Sequence, residues 1–489
     1  MNKAYRRISL IAILAAAAAL VAASQASAQP KPSPRSTPEA VAVRAPQPKP
    51  IDYEKLTQEA TDLLSKYIQI NTTNPPGNEL AAAKFLKDKF LADGIPATTW
   101  EPLPGRGAIA ARLHGIGKHH KALLLLSHMD VVPVDPKEWK VPPFSGEVKD
   151  GVLWGRGAID DKGPGVVFLM SMLAIKRAGI LLDRDIVFVA TGDEEAGGKN
   201  GAGWFVDHQQ SVYEDVGYVL NEGGAIRMLP NEKVYYSVSV TEKTPLWVRI
   251  TATGPTGHAS NPPPDTSVAE LVRGLQRLIE YRTPLHLIGP VEDYYHAMAE
   301  LGYGPRQWLD LAASLKDSAF QKQFLSEPDR NAHVRDTITP TVLSASNAIN
   351  VLPGISYAEV DCRLLPGSDP KAVLKTIGKV MNDKDLKTEV LRNWPANSSP
   401  QKSELMNAIQ SLSRHSDKDA PVVPTMIAGF TDSHYFRQKG IVAYGFVPIE
   451  LKHPEEAKGV HGVDERISVD ELGAGVQRMV ELLKIFGGR

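Results

Sequence analysis

Short, strongly apolar runs alternate with helical patterns in the first half of this chain, and each run breaks off at residues that bind cations. ALLLLS (Ala122–Ser127) stops at His128, Met129 and Asp130. DIVFVAT (Asp185–Thr191) runs through Gly192 into three consecutive acids, Asp193, Glu194 and Glu195. VGYVLN (Val216–Asn221) stops at Glu222. Such runs read as strands, and GPGVVFLMSMLAIKRAG (Gly163–Gly179) between the first two reads as a buried helix stopped by glycine. The alternation predicts an α/β catalytic domain built on a mixed, largely parallel sheet. In open sheets of this class ligands bind beyond the carboxyl ends of the strands. His128, Asp130, Glu194, Glu195 and Glu222 are therefore expected to converge there, joined by Asp160 and Asp161 of DGVLWGRGAIDDKG and His461 of KGVHGVDERI.

Near Thr244 the pattern changes. TPLWVRITATG alternates, a helical stretch DTSVAELVRGLQRLIEYR follows, and SYAEVDCRLLPG alternates again. A helix around 371–381 and a strand KTEVLRNW complete a β-α-β-β-α-β series, which predicts a smaller, ferredoxin-like α+β domain inserted in the first. The expected division is 51–244 and 395–489 for the catalytic domain and 245–394 for the insert. Residues of about 285–335 form a helix-rich stretch to which no chemistry attaches. A length of 489 residues agrees with two domains.

At the start, Lys3, Arg6 and Arg7 precede an apolar run, Ile8–Ala23, and Ala26-Ser27-Ala28 supplies a small-residue cleavage site. Residues 1–28 read as a secretory signal, giving a periplasmic or secreted protein; an uncleaved membrane anchor is the alternative, for which the run is short. Residues 29–50 are a Pro-rich linker. Cys362 is the only cysteine, so no intrachain disulfide can form, and its flanks mark a buried strand residue. A formal net charge of −1 offers nothing to a nucleic acid.

Acids and histidines gathered at adjacent strand ends would repel one another unless a cation compensated them. Two divalent ions sharing a carboxylate would do so. The ordered segments SHMDVVPVD, WGRGAIDDKG, TGDEEAGG, LNEGG, GPTGHAS, NAINVLPG and HGVDERI resemble the motif set of the two-zinc aminoacylase/carboxypeptidase family, and within it the carboxypeptidase S-like branch. The resemblance implies that His128 and Glu222 hold one metal, Glu195 and His461 the other, and Asp160 both, with Asp161 an alternative bridge. It implies that Asp130 orients His128 through its other ring nitrogen, and that Glu194 is the general base. His258 would stabilise the oxyanion; in dimers of the family this residue acts across the subunit interface, so a homodimer through the insert is expected. Asn350 and Arg363 match substrate-binding positions, although Arg363 can equally pair with Asp361 or Glu359 on its own strand. The donor set suits Zn²⁺, with Mn²⁺ or Co²⁺ as alternatives.

Phe430, in AGFTDSHYF, stands where relatives carry a smaller residue and points to a hydrophobic substrate group. The expected activity is metal-dependent hydrolysis of the amide bond of N-acyl amino acids or short peptides with a free C-terminal carboxylate. Two alternatives differ from it: a non-catalytic binding protein on the same scaffold, and an N-acyl amino acid synthase/hydrolase. GRGAIDDKG lacks the spacing of a dinucleotide-binding loop.

Overall fold

The apolar runs form the middle of a ten-stranded sheet. The computed structural model describes residues 47–117, 120–452 and 458–488. The expected signal at 1–28 and the linker up to residue 46 lie outside the described residues.

Helices α1 (Tyr53–Ile68) and α2 (Glu79–Ala92) come first, α1 capped by the Asp52 side chain on the Lys55 N–H. The principal elements that follow are β1 (Ala97–Trp100), β2 (Ala108–Leu113), β3 (Ala122–His128), α3 (Lys162–Ala178), β4 (Ile186–Thr191), β5 (Val216–Asn221), β6 (Ile226–Met228) and β7 (Val234–Glu242). Then come β8 (Thr244–Thr253), β9 (Gly257–His258), α4 (Ser267–Glu280), α5 (Gly289–Glu300), β10 (Thr337–Ser344), β11 (Val351–Leu352), β12 (Ile355–Leu364), α6 (Pro370–Met381) and β13 (Lys387–Asn393). The chain returns through α7 (Glu404–Ser416), β14 (Val422–Ile427), β15 (Val442–Gly445), β16 (Glu450–Leu451) and α8 (Val469–Gly487).

The large sheet has the order β1-β2-β4-β3-β5-β15-β7-β6-β16, with β14 also beside β7. Its centre, β4-β3-β5-β15, is parallel; β1 and β2 pair antiparallel, and β7 pairs antiparallel with β15 and β6 but parallel with β14. Successive side chains of a strand face opposite ways, so each central strand feeds two cores. Leu123 and Leu125 pack with α1, α3 and α8, while Leu124 and Leu126 meet Phe205 and Phe436 on the other face. Burial on both faces explains why these strands are continuously apolar and not alternating. Each buried Leu or Phe contributes about 1.5–3 kcal/mol. Helix α3 sits where β3 and the Asp160 loop meet: Gly165 lies against Ser127 and Gly163 against the Ala158 carbonyl, where a Cβ would collide with either.

The second sheet is fully antiparallel, in the order β10-β12-β8-β13. One face packs on α4 and α6 through Val248, Ile250, Leu271, Leu275, Val360 and Ile377, and Cys362 is buried there. Alternation along β12 turns Asp361 and Arg363 to its opposite face. From α5 to β10 the helix-rich stretch has its own core of Tyr295, Trp308, Leu311 and Phe324, which docks on Tyr235, Val423 and Met426. No helix among the described residues is long and apolar enough to cross a membrane.

Candidate active site

Strands β3, β4 and β5 end level with one another: His128 is in register with Thr191, Leu125 with Leu220. This carries His128, the 193–195 acids and Glu222 to one rim. Asp160 arrives from the loop before α3. Its Oδ1 lies 2.9 Å from His128 Nε2, and its Oδ2 lies 3.1 Å from His461 Nε2. His461 Nε2 is also 3.1 Å from Glu195 Oε2, and Glu222 Oε1 is 3.8 Å from His128 Nε2. Donor atoms of His128, Asp160 and Glu195 lie within 4.8 Å of one another, as do those of His128, Glu194 and Glu222.

The two consecutive glutamates therefore diverge, Glu195 toward His461 and Asp160, Glu194 toward Glu222. Asp193, with a left-handed φ of 72°, turns away from both. It accepts the Asn200 N–H at 2.8 Å and the Arg106 guanidinium at 3.2 Å.

Asp130 is buried, and its carboxylate does something the sequence reading missed. It accepts the backbone N–H groups of Glu194 and Glu195 at 3.1 and 3.2 Å and the Asn74 amide at 2.8 Å. The Nδ1 of His128 meets the main-chain oxygen of Asp130 at 3.0 Å, whereas the carboxylate is 3.6 Å away, too far for a hydrogen bond. Asp130 thus fixes the acidic loop directly and His128 through its backbone. Asp161 accepts the His128 N–H with one oxygen, and its other is buried without a partner among the described residues.

Charge is strained throughout the cluster. Burial, with Glu222 beside it, raises the Glu194 carboxyl well above the usual range, and burial with Asp160 beside it does the same to Glu222. Burial pushes Asp161 up to about 8. Asp160 moves the other way: burial opposes its charge, but hydrogen bonds from His128 and His461 hold it low. Hydrogen bonds to Asp160 and Glu195 raise His461 to about 10. The cluster gathers more acid than base, and burial leaves it short of positive charge. Two imidazoles and four carboxylates converging on a buried, cation-deficient rim fit divalent metal ions.

The remaining expected residues lie elsewhere. His258 and Asn350 come together where β9 pairs with β11, both exposed, and neither touches the acidic cluster. His258 Nδ1 accepts from the Ser260 hydroxyl at 2.7 Å. Arg363 Nε donates to Asp361 at 2.9 Å, and its guanidinium lies 4.8 Å from the Phe430 ring centre. Phe430 in turn meets Trp394 edge-on, and His434 stacks on Trp394 at 4.2 Å.

Sequence reasoning also overlooked Glu465. Fully buried, it accepts the N–H groups of Gly157, Ile159 and Asp160 and the Arg156 guanidinium, and so forms the cradle that presents Asp160. Its signal was present, four residues after His461 in HGVDERI, but its partners lie some 300 residues earlier.

Residues 124–485 match the model of peptidase family M20/M25/M40. The chain belongs to peptidase family M20. The chain is 31% identical over 376 residues to the N-fatty-acyl-amino acid synthase/hydrolase PM20D1 of Xenopus tropicalis, which covers 75% of this chain and 73% of the relative. It is 28% identical to the probable carboxypeptidase S-like 2 of Dictyostelium discoideum, covering 82% of this chain and 76% of the relative. The M20 family metallo-carboxypeptidase Sso-CP2 of Sulfolobus solfataricus superposes with a TM-score of 0.69 at 19% identity, over 88% of this chain and 99% of that one. This M20 chain is thus a hydrolase of the metallopeptidase and aminoacylase type, and its acid- and histidine-rich rim lies at the strand ends where that fold class binds its ligands.

Proposed function

We propose that this protein is an exported, two-metal hydrolase of N-acyl amino acids or short peptides with a free C-terminal carboxylate. The observation that carries the reading is Asp160, whose two carboxylate oxygens reach different histidines while Glu194 and Glu195 diverge beside it. His128, Asp160 and Glu222 would hold one ion and Asp160, Glu195 and His461 the other, with Zn²⁺ best suited to the donor set and Mn²⁺ or Co²⁺ as alternatives. Bound divalent ions supply Lewis acidity, which polarises a carbonyl and acidifies water.

Glu194, buried and raised in pKa, takes the proton of the attacking water and returns it to the departing nitrogen. Asp130 keeps Glu194 in place by holding its N–H. Arg363 would exchange its Asp361 partner for the substrate carboxylate, which a guanidinium grips with two parallel hydrogen bonds. His258 and Asn350, both exposed, would serve the site of a second copy; there His258 would stabilise the oxyanion. The excess of water favours hydrolysis over synthesis.

The test is release of free amino acid from a panel of N-acyl amino acids and dipeptides by the metal-reconstituted protein. Turnover of at least one class supports the reading. Stoichiometric metal with tight substrate binding and no turnover of any would favour a binding protein instead.

A further inference from the structure

Glu222 is followed by Gly223, and Gly223 lines a cavity that the mechanism leaves unused. It measures about 250 Å³, between β6, β7, β14 and the helix-rich stretch. Tyr235, Tyr294 and Ile427 give it apolar walls, and Arg227 and His333 also line it. No lining side chain is acidic. That contrasts with the carboxylate-rich rim one residue away.

Arg227 stands opposite Tyr235 in the β6–β7 pairing and is only partly exposed. Its side chain forms no ion pair and no hydrogen bond among the described residues. A partly desolvated guanidinium without an anion is costly, and a carboxylate is the group whose geometry matches it. His333 bonds Tyr295 through Nδ1, and its Nε2 has no partner among the described residues. The Ser237 and Thr425 hydroxyls pair with each other at 3.2 Å and add polarity without charge.

The volume limits the occupant. At about 250 Å³ it falls below the ~300–1,000 Å³ of pockets for drug-sized ligands and suits a chain of a few carbons ending in a carboxylate.

We propose that this cavity is the acyl-side subsite and selects short acyl groups ending in a carboxylate, which Arg227 binds. The inference rests on the hydrolase reading above. It gives the helix-rich stretch a use, as the wall that closes the subsite through Tyr294 and His333.

The test uses the metal-loaded protein and the amino acid released fastest from its N-acetyl derivative. Its N-glutaryl and N-pentanoyl derivatives, equal in chain length, are compared by kcat/KM. The glutaryl compound is expected to be preferred by about tenfold or more, the effect of a charge-assisted hydrogen bond. Arg227→Met should bring the ratio to about one, and Arg227→Glu should shift preference toward the 5-aminopentanoyl derivative, with melting temperature and metal content as checks on folding. Equal kcat/KM for the two compounds in the wild type, or a preference that persists in Arg227→Met, overturns the subsite and leaves the hydrolase reading intact. Failure to cleave any N-acyl amino acid or dipeptide overturns both.

Discussion

Residues that touch no substrate set much of this site. Glu465 accepts four hydrogen bonds that shape the loop carrying Asp160, and one of its partners, Arg156, is an ion pair at 2.7 Å. Glu465→Gln removes that pairing and leaves Arg156 uncompensated in the interior. Metal affinity, read by competition with a chelator, should fall about 10–100-fold, the usual effect of losing a group that orients a ligand. Unchanged affinity would mean that the loop holds its shape without Glu465. The ligand candidates themselves were legible, because strand ends announce themselves by an apolar run stopping at an acid or histidine. Their supports were not. Asp130 sits next to His128 in sequence and suggests a ring-nitrogen contact, yet its carboxylate is spent on the N–H groups of Glu194 and Glu195. Such long-range assignments depend on tertiary placement, which periodicity does not encode.

Among the elements, the junction of β7 and β8 joins both sheets and the helix-rich stretch. Lys243 occupies it, fully buried, with Nζ donating to the carbonyls of Ala332 and Arg335 at 3.1 and 2.9 Å. Burial lowers its pKa from the ordinary 10.5 to about 8. A base whose folded pKa is depressed binds fewer protons folded than unfolded between those two values, so stability rises with pH across that window. The drop of 10.5 − 8 corresponds to a penalty on the order of 3 kcal/mol, fully present below about pH 8. Denaturant unfolding should therefore show stability climbing from about pH 8 to 10.5, by more in the wild type than in Lys243→Met. Parallel pH profiles for the two proteins would refute this assignment. The elements around the junction were unevenly legible. Continuous or strictly alternating runs such as β3 and β12 declare their period. Strands β1, β2 and β6 are short and ambiguous, and take their state from the neighbours they pair with.

Across the molecule, His258 and Asn350 are exposed, as are Leu343, Ile349 and Ile355. A chain that completes its site with a partner's histidine must associate to work. Glu194→Gln and His258→Ala proteins, each inactive alone, should regain activity on mixing. Half of randomly re-formed dimers are mixed and each carries one intact site, so recovery should approach about a quarter of wild type. Sedimentation should show the dimer; no recovery from a mixed dimer would place His258 outside catalysis.

The central claim is that two metal ions and Glu194 perform the hydrolysis. The most direct test measures metal per chain and amide turnover together, in wild type and in Glu194→Gln, both reconstituted with Zn²⁺. About two ions per chain in both proteins, with turnover falling about 10²–10⁴-fold only in the variant, is the expected result. Folded wild-type protein that binds no metal, or a variant that keeps full turnover, would contradict it.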